Sequence, residues 1–367
     1  MALGASSPAS RAAQASPIQS GIDRLAAASF QPLAGRSVGL LTNQTGVDAD
    51  GRRTIDRLAA APGMRLRALF SPEHGPNGGF DRPVPNGRDE RTDLPVWSLY
   101  GSTRRPTPQM LAGLDTIVVD LQDVGVRYYT YLTTLVYVLE EAARHHVSVV
   151  VLDRPDPLTG RLVEGPVMDP DLRSFTGPHP VPVRTGLTIG EFARMVVAER
   201  GLAVDLTVVP LEGWRRSQWF DETGLPWVDP SPNIRSVGEA LLYAGIGLLE
   251  ATNVSVGRGT DTPFELVGAP WITDPSALAD SLNGLGLPGV RFEPARFTPT
   301  ASPYAGEPVG GVRVIVTDRE AARPVRLGLA LGRILRQRYH QYRPGAIQDL
   351  LVHRQTIWAF LRGDPLG

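Results

Sequence analysis

The sequence predicts an α/β protein whose core is a parallel sheet covered on both faces. Two observations lead there. Short, continuous apolar runs alternate with longer amphipathic segments, and the runs stop abruptly at turns rich in Gly, Pro, Asn or Asp. Strands buried on both faces read as unbroken apolar runs, and the helices between them are the crossovers that parallel pairing requires.

Residues 1–20 (MALGASSPASRAAQASPIQS) are small and polar and lack the apolar core of a secretion signal. They are expected to be a disordered leader, and cytoplasmic residence is favoured over export by a signal missing from this chain. Residues 35–42 (GRSVGLLT) read as a buried strand ending in the polar turn Asn43, Gln44, Thr45, Gly46. A helix is expected over 54–61 and a second strand over 65–70. The stretch 77–93 has no period and is rich in Gly, Pro, Asn and charge, which predicts a long functional loop. A third strand covers 116–121 (TIVVDL), a helix 131–145, and a fourth strand 147–152 (VSVVVL). A second pattern begins near Asp205. It holds a strand at 206–209, an aromatic, Pro-rich stretch over 214–233 and a helix over 236–250. The polar segment 252–262 follows, then a strand at 312–317 and a helix over 325–339. The expected division is a sheet-bearing unit over 21–203 and a smaller unit over 204–367, sharing a large interface.

Composition narrows the function. A chain of 367 residues that is 42% apolar can bury a large core. A net charge of −1 offers no electrostatic case for nucleic acid or an anionic membrane, and no apolar run reaches membrane-span length. The absence of cysteine excludes disulfides, thiolate nucleophiles and Cys-ligated metals. With six histidines and no HExxH, no metal site is expected. No strand leads into GxGxxG and no P-loop is present, so no nucleotide or other cofactor is expected either.

The most informative segment is LFSPEHG, residues 69–75. An apolar run ends in Pro72 and is followed at once by Glu73 and His74. Ligands of open α/β sheets bind beyond the carboxyl ends of strands, where adjacent titratable groups can move protons. The third strand ends in Asp120, Gln122 and Asp123, and continues through Gly125, Arg127, Tyr128, Tyr129, Thr130 and Tyr131. Carboxylates, an amide, a guanidinium and phenols at one strand end suit sugar hydroxyls. The alternative is that Asp120 caps the following helix and the tyrosines pack as core. Asp153 and Arg154 end the fourth strand and read as a structural ion pair. The second half adds Asn233, Glu250, Asn253 and the run Gly257–Arg258–Gly259–Thr260. This run reads either as an anion-cradling nest with a guanidinium fork or as a Gly-rich turn.

Together these segments resemble the bacterial exo-β-N-acetylmuramidases. The stretches that carry the resemblance are LLTNQTG, LFSPEHG, LPVWSLYG, VVDLQDVGVRYYTY, VVLDRPDPLTG, VEGP, GLTIGEFA, GLPWVDPSPNI, LEATNVSVGRGTDTPFELVGAPW and GVRVIVTDR, in that order from about residue 21 to the C-terminus. The resemblance implies a Rossmann-like domain without a nucleotide, a smaller C-terminal α/β (α+β) domain, and an active site in the cleft between them. It also implies release of terminal β-N-acetylmuramic acid from the non-reducing ends of peptidoglycan fragments, with muropeptide-derived disaccharides and oligosaccharides as partners.

On that reading Glu73 is the acid/base, and His74 and Asp120 orient it or bind substrate. Asn43, Gln122, Arg127, Tyr129, Asn233, Asn253, Arg258 and Thr260 bind the sugar, with Arg258 first and Arg127 second as the cation for the lactyl carboxylate. Retention or inversion depends on the separation of the carboxylates. One departure stands out. The loop after EHG commonly carries Ala-Gly-Glu in the family, whereas this chain has PNGGFDRPVPNGRDERTD. Asp81, Asp89 or Glu90 must then replace that glutamate, or the activity is altered. A non-catalytic muropeptide-binding protein on the same fold is the alternative function, and a nucleotide-dependent transferase a more distant one.

Overall fold

The computed structural model describes residues 18–80, 82–301 and 303–364. Ten strands are present among them: β1 Ser37–Thr42, β2 Arg65–Ser71, β3 Gly87–Arg88, β4 Pro95–Ser98, β5 Thr116–Asp120, β6 Ser148–Leu152, β7 Leu206–Val209, β8 Leu266–Ala269, β9 Val290–Phe297 and β10 Val309–Val316. The helices are α1 Gly21–Ala27, α2 Thr54–Ala59, α3 Pro108–Leu111, α4 Tyr131–His145, α5 Ile189–Arg200, α6 Val237–Ile246, α7 Pro275–Asn283, α8 Pro324–Arg338, α9 Ile347–Leu351 and α10 Arg354–Arg362.

The first seven strands form one sheet in the order β3-β4-β2-β1-β5-β6-β7. Every pair is parallel except β3–β4, which is antiparallel at the edge. Counting only the parallel strands, the order is the 3-2-1-4-5-6 of a Rossmann sheet, with its reversal between β1 and β5. Strands β5 and β6 are buried along their whole length, as their unbroken apolar runs predict. One face packs Val38, Leu40, Val118 and Val150 against Ile22 and Leu25 of α1 and Ile55 and Leu58 of α2. The other packs Leu41, Ile117, Val119 and Val151 against α4 and α5, and that core runs on without interruption into α6, α8 and β10.

The second sheet is small and antiparallel, in the order β8-β10-β9. Helices α6 and α8 cross closely at paired glycines. A Cβ on Gly245 would collide with the Pro324 carbonyl, and one on Gly328 with the Gly245 carbonyl.

Three expectations are revised. Strand β7 was grouped with the second unit, but it pairs in parallel with β6, so the first sheet extends past the boundary placed at 203/204. The end of the leader is ordered: Ile18 is buried, Gln19 and Glu212 exchange backbone hydrogen bonds at 3.0 Å, and Ser20 caps α1 with Asp23. Residues 1–17 lie outside the described residues. Finally, the loop 77–93 contains β3, which closes a short edge hairpin on β4. Among the described residues no helix is long and apolar enough to cross a membrane.

Candidate active site

The LFSPEHG segment carries β2 to its carboxyl end and then reverses sharply. His74 and Gly75 both lie in the left-handed region, at φ 69° and 76°, and Gly75 N–H donates to the Pro72 carbonyl at 3.2 Å. Left-handed backbone is uncommon for a non-glycine residue and is held here by the surroundings. The His74 ring is buried, with Nδ1 2.9 Å from the Phe80 carbonyl. A carbonyl only accepts, so Nδ1 carries the hydrogen. Glu73 is half-buried, and its Oε2 accepts from the Thr130 hydroxyl at 2.5 Å. Thr130 is the N-cap residue of α4, yet its side chain makes no capping bond to that helix. The hydroxyl is directed at the glutamate instead.

The opposite wall comes from the C-terminal half. Glu73, His74, Tyr129 and Thr130 share a cavity of about 290 Å³ with Glu250, Arg258 and Phe264. The EHG turn and the VGRGTDTPFE segment therefore face one another across a single space, as expected for a cleft completed by both halves. The Arg258 Nε donates to Glu250 Oε1, and its guanidinium lies 5.7 Å from the centroid of the Phe264 ring. Gly257 and Gly259 flank Arg258 at φ 80° and 75°, conformations that glycine reaches without strain. Tyr129 donates its hydroxyl to the Pro230 carbonyl at 2.9 Å, and Tyr128 donates to the Tyr243 carbonyl at 2.6 Å. Burial pushes the phenols of Tyr128, Tyr129 and Tyr243 well above their ordinary range, so they act as neutral donors that pin the halves together.

Several expected site residues lie elsewhere. Asp120 is fully buried, receives the Arg154 guanidinium at 2.6 and 2.9 Å, and also accepts from Thr54. It is half of an ion pair, and Arg154 is paired with it rather than with Asp153. Asn43 donates to the Tyr131 hydroxyl at 2.6 Å and accepts from Thr45 at 3.0 and 2.7 Å. Gln122 donates to the Asp123 and Pro155 carbonyls at 2.8 and 2.9 Å. Both amides tie strand ends together. Arg127 is buried and donates to the carbonyls of Pro166, Val181, Leu350 and Leu351. Burial lowers its guanidinium to about 10. Its role is to hold α9, whose Leu350 lines the cavity.

In the second half, Asn253 braces the Gln341 carbonyl and the Arg343 N–H at 2.9 and 2.6 Å. Thr260 closes its own turn by donating to the Gly257 carbonyl at 2.6 Å. Asn233 is buried between the lining residues Ser231 and Ile234. Of the candidates, the structure gathers Glu73, His74, Tyr129 and Arg258 on the cavity.

The 77–93 loop supplies no second carboxylate to this cavity among the described residues. Burial acts to raise Asp89, but hydrogen bonds from Arg53 and Thr92 outweigh it and hold the carboxyl at about 2. Glu90 is exposed, and Asp81 lies outside the described residues. The second carboxylate in the cavity is Glu250, at the end of the apolar run LLYAGIGLLE. Its position there, directly before a polar motif, was the signal available in the sequence. Among the described residues, no three His, Asp or Glu side chains gather where they could hold a metal ion.

Comparison with known proteins places this geometry among relatives. Residues 38–238 match the N-terminal family model of exo-beta-N-acetylmuramidase NamZ, and residues 241–364 match the C-terminal one. A Bacillus subtilis protein, peptidoglycan beta-N-acetylmuramidase NamZ, is 44% identical over 324 residues, covering 88% of this chain and 78% of the relative. A crystal structure of a DUF1343 family protein from Bacteroides fragilis superposes with a TM-score of 0.88 at 36% identity, covering 94% of this chain and 91% of that one. A second protein of that description from the same organism gives a TM-score of 0.75 at 28% identity, covering 95% and 92%.

Proposed function

This chain belongs to the exo-beta-N-acetylmuramidase NamZ family, and from that premise we propose how its cavity works. The protein is an exo-acting glycoside hydrolase that removes terminal β-N-acetylmuramic acid from the non-reducing end of peptidoglycan fragments. The observation that carries the site assignment is the meeting of Glu73 and His74 with Glu250 and Arg258 in one cavity built from both halves.

Glycoside hydrolysis passes through an oxocarbenium-like transition state and needs an acid at the leaving oxygen and a second group at the anomeric carbon. Glu73 is the acid, oriented by the Thr130 hydroxyl. Glu250 is the second carboxylate and counters the positive charge that develops at the anomeric carbon. Arg258, held by Glu250 through Nε, receives the lactyl carboxylate that distinguishes muramic acid from N-acetylglucosamine. Tyr129 and Phe264 form apolar walls around the ring.

The test is release of N-acetylmuramic acid from a β-MurNAc glycoside by the wild type and by Glu73→Gln. The amide keeps the side chain's shape and removes its proton transfer, so turnover falls at least about 100-fold while folding is unchanged. Near-normal turnover by the variant would remove Glu73 from its role. Binding of the sugar without any turnover by the wild type would favour a non-catalytic binding protein instead.

A further inference from the structure

The cavity holds one sugar, and the rest of the substrate must lie outside it. Its volume of about 290 Å³ sits at the small end of ligand sites, roughly 300 Å³ and upward. A larger groove of about 720 Å³ adjoins it. Thr176 lines both spaces, and its hydroxyl donates to the Asp349 carbonyl at 2.7 Å. Helix α9 separates them, with Leu350 on the cavity side and Gln348 and Asp349 on the groove side. The groove is thus the continuation of the cavity past a wall one short helix thick.

Its far side is made by α10. Ile357 and Phe360 bury the inner face of that helix, while Trp358 is 57% exposed and Leu361 lies one turn further along the same outer stripe. An indole left in water at the lip of a catalytic cavity needs an occupant to explain it, because it presents a flat apolar face at little entropic cost. Phe175 makes the near wall and is held rigid. The Arg104 guanidinium lies 3.9 Å from its ring centroid, and Tyr100 stacks on it at 6.0 Å. Flat rings with a polar rim of amide and carboxylate match a pyranose, whose C–H face is apolar and whose edge carries hydroxyls.

We propose that this groove is the leaving-group subsite, in which Trp358 stacks the N-acetylglucosamine that follows the scissile bond. The inference rests on the glycosidase reading above and adds the position of the substrate's second sugar. The subsite works by binding the sugar that the cavity does not touch, so its contribution appears only with substrates that have that sugar.

The experiment compares kcat/KM for the disaccharide MurNAc-GlcNAc with that for the methyl β-MurNAc glycoside, in wild type and in Trp358→Ala. The variant should lower the disaccharide value about 10-fold, the size of a lost ring-stacking contact, and leave the methyl glycoside within about twofold. Trp358→Phe should restore most of the loss, and an unchanged melting temperature shows that the exposed substitution leaves the fold intact. Equal effects on both substrates, or none, would overturn the subsite. An effect confined to peptide-bearing fragments would assign the groove to the stem peptide. A dimer in light scattering that Trp358→Ala dissociates would assign it to a second copy. Either result overturns the proposal. A wild type that releases nothing from either glycoside defeats the glycosidase reading itself, and is distinct from an active wild type with an indifferent Trp358.

Discussion

Thr130 stands at the start of α4 in the position where a hydroxyl normally caps the helix, and it bonds Glu73 instead. Helix stability is given up there for the placement of one carboxylate, a loss of about 1 kcal/mol by the usual worth of a cap. Such an exchange makes sense only if the glutamate must point in one direction. Thr130→Val removes the hydroxyl and keeps the shape, so kcat should fall about 10-fold with KM little changed, because misorientation acts on the transition state. The melting temperature should not fall, since no cap is lost. A kcat equal to wild type would show that the bond does not position the acid. His74 is constrained by the same local logic. Its left-handed backbone and the bond to the Phe80 carbonyl fix the ring beside Glu73 and hold the start of the loop that follows.

At the level of elements, the site depends on how the carboxyl ends of the strands are tied. Asp120 on β5 and Arg154 after β6 form a buried pair, and Arg154 also donates to the Val47 carbonyl after β1 at 2.8 Å. Removing one partner leaves the other charge buried and uncompensated. Arg154→Met should therefore destabilise the protein by about 3–5 kcal/mol, read by chemical denaturation. Loss below about 1 kcal/mol would mean that water reaches Asp120 and solvates it. This pair also shows where sequence reasoning stopped. An acid at the end of a buried strand looks the same whether it serves a reaction or an ion pair, and the choice depends on Arg154, 34 residues away. The parallel strands and α4 were legible because continuous apolar runs and a 3.6-residue period are local signals. The second sheet was only partly so: β9 is half-exposed and carries Pro294, while β10 begins with Gly310 and Gly311, residues that weaken a strand reading. The PEHG turn could be read as chemistry because its residues are adjacent. The meeting of Glu73 with Glu250 could not, because it is made by the packing of distant segments.

Over the whole molecule, one continuous core joins the two sheets, so the halves respond to pH as a unit. Its polar layer lies near the strand ends. Burial pushes Asp123 up to about 8, with the neighbouring Asp156 adding to the effect, and burial raises Asp156 to about 7 and Asp153 to about 6. Asp123 Oδ1 and Asp156 Oδ2 are buried without a hydrogen-bond partner in the protein. In the unfolded chain these carboxyls titrate near about 3.9. Each folded value is raised, so the native state binds more protons and stability declines as pH rises. The stabilisation is complete below about pH 4, and it is lost as pH passes through the folded values from about 6 to about 8. Asp89 has the opposite sign, but its folded value of about 2 confines its effect to acid. The melting temperature should therefore be several degrees higher at pH 6 than at pH 9. Asp123→Asn keeps an oxygen for the Gly125 N–H, which now donates to Oδ2 at 2.7 Å, and removes the highest of the three titrations. That variant should match or exceed wild type at pH 9 and show a smaller difference between the two conditions. If wild type and variant lose stability equally above pH 7, the carboxyl at 123 is already ionised in the native core and the buried layer does not govern the alkaline limb.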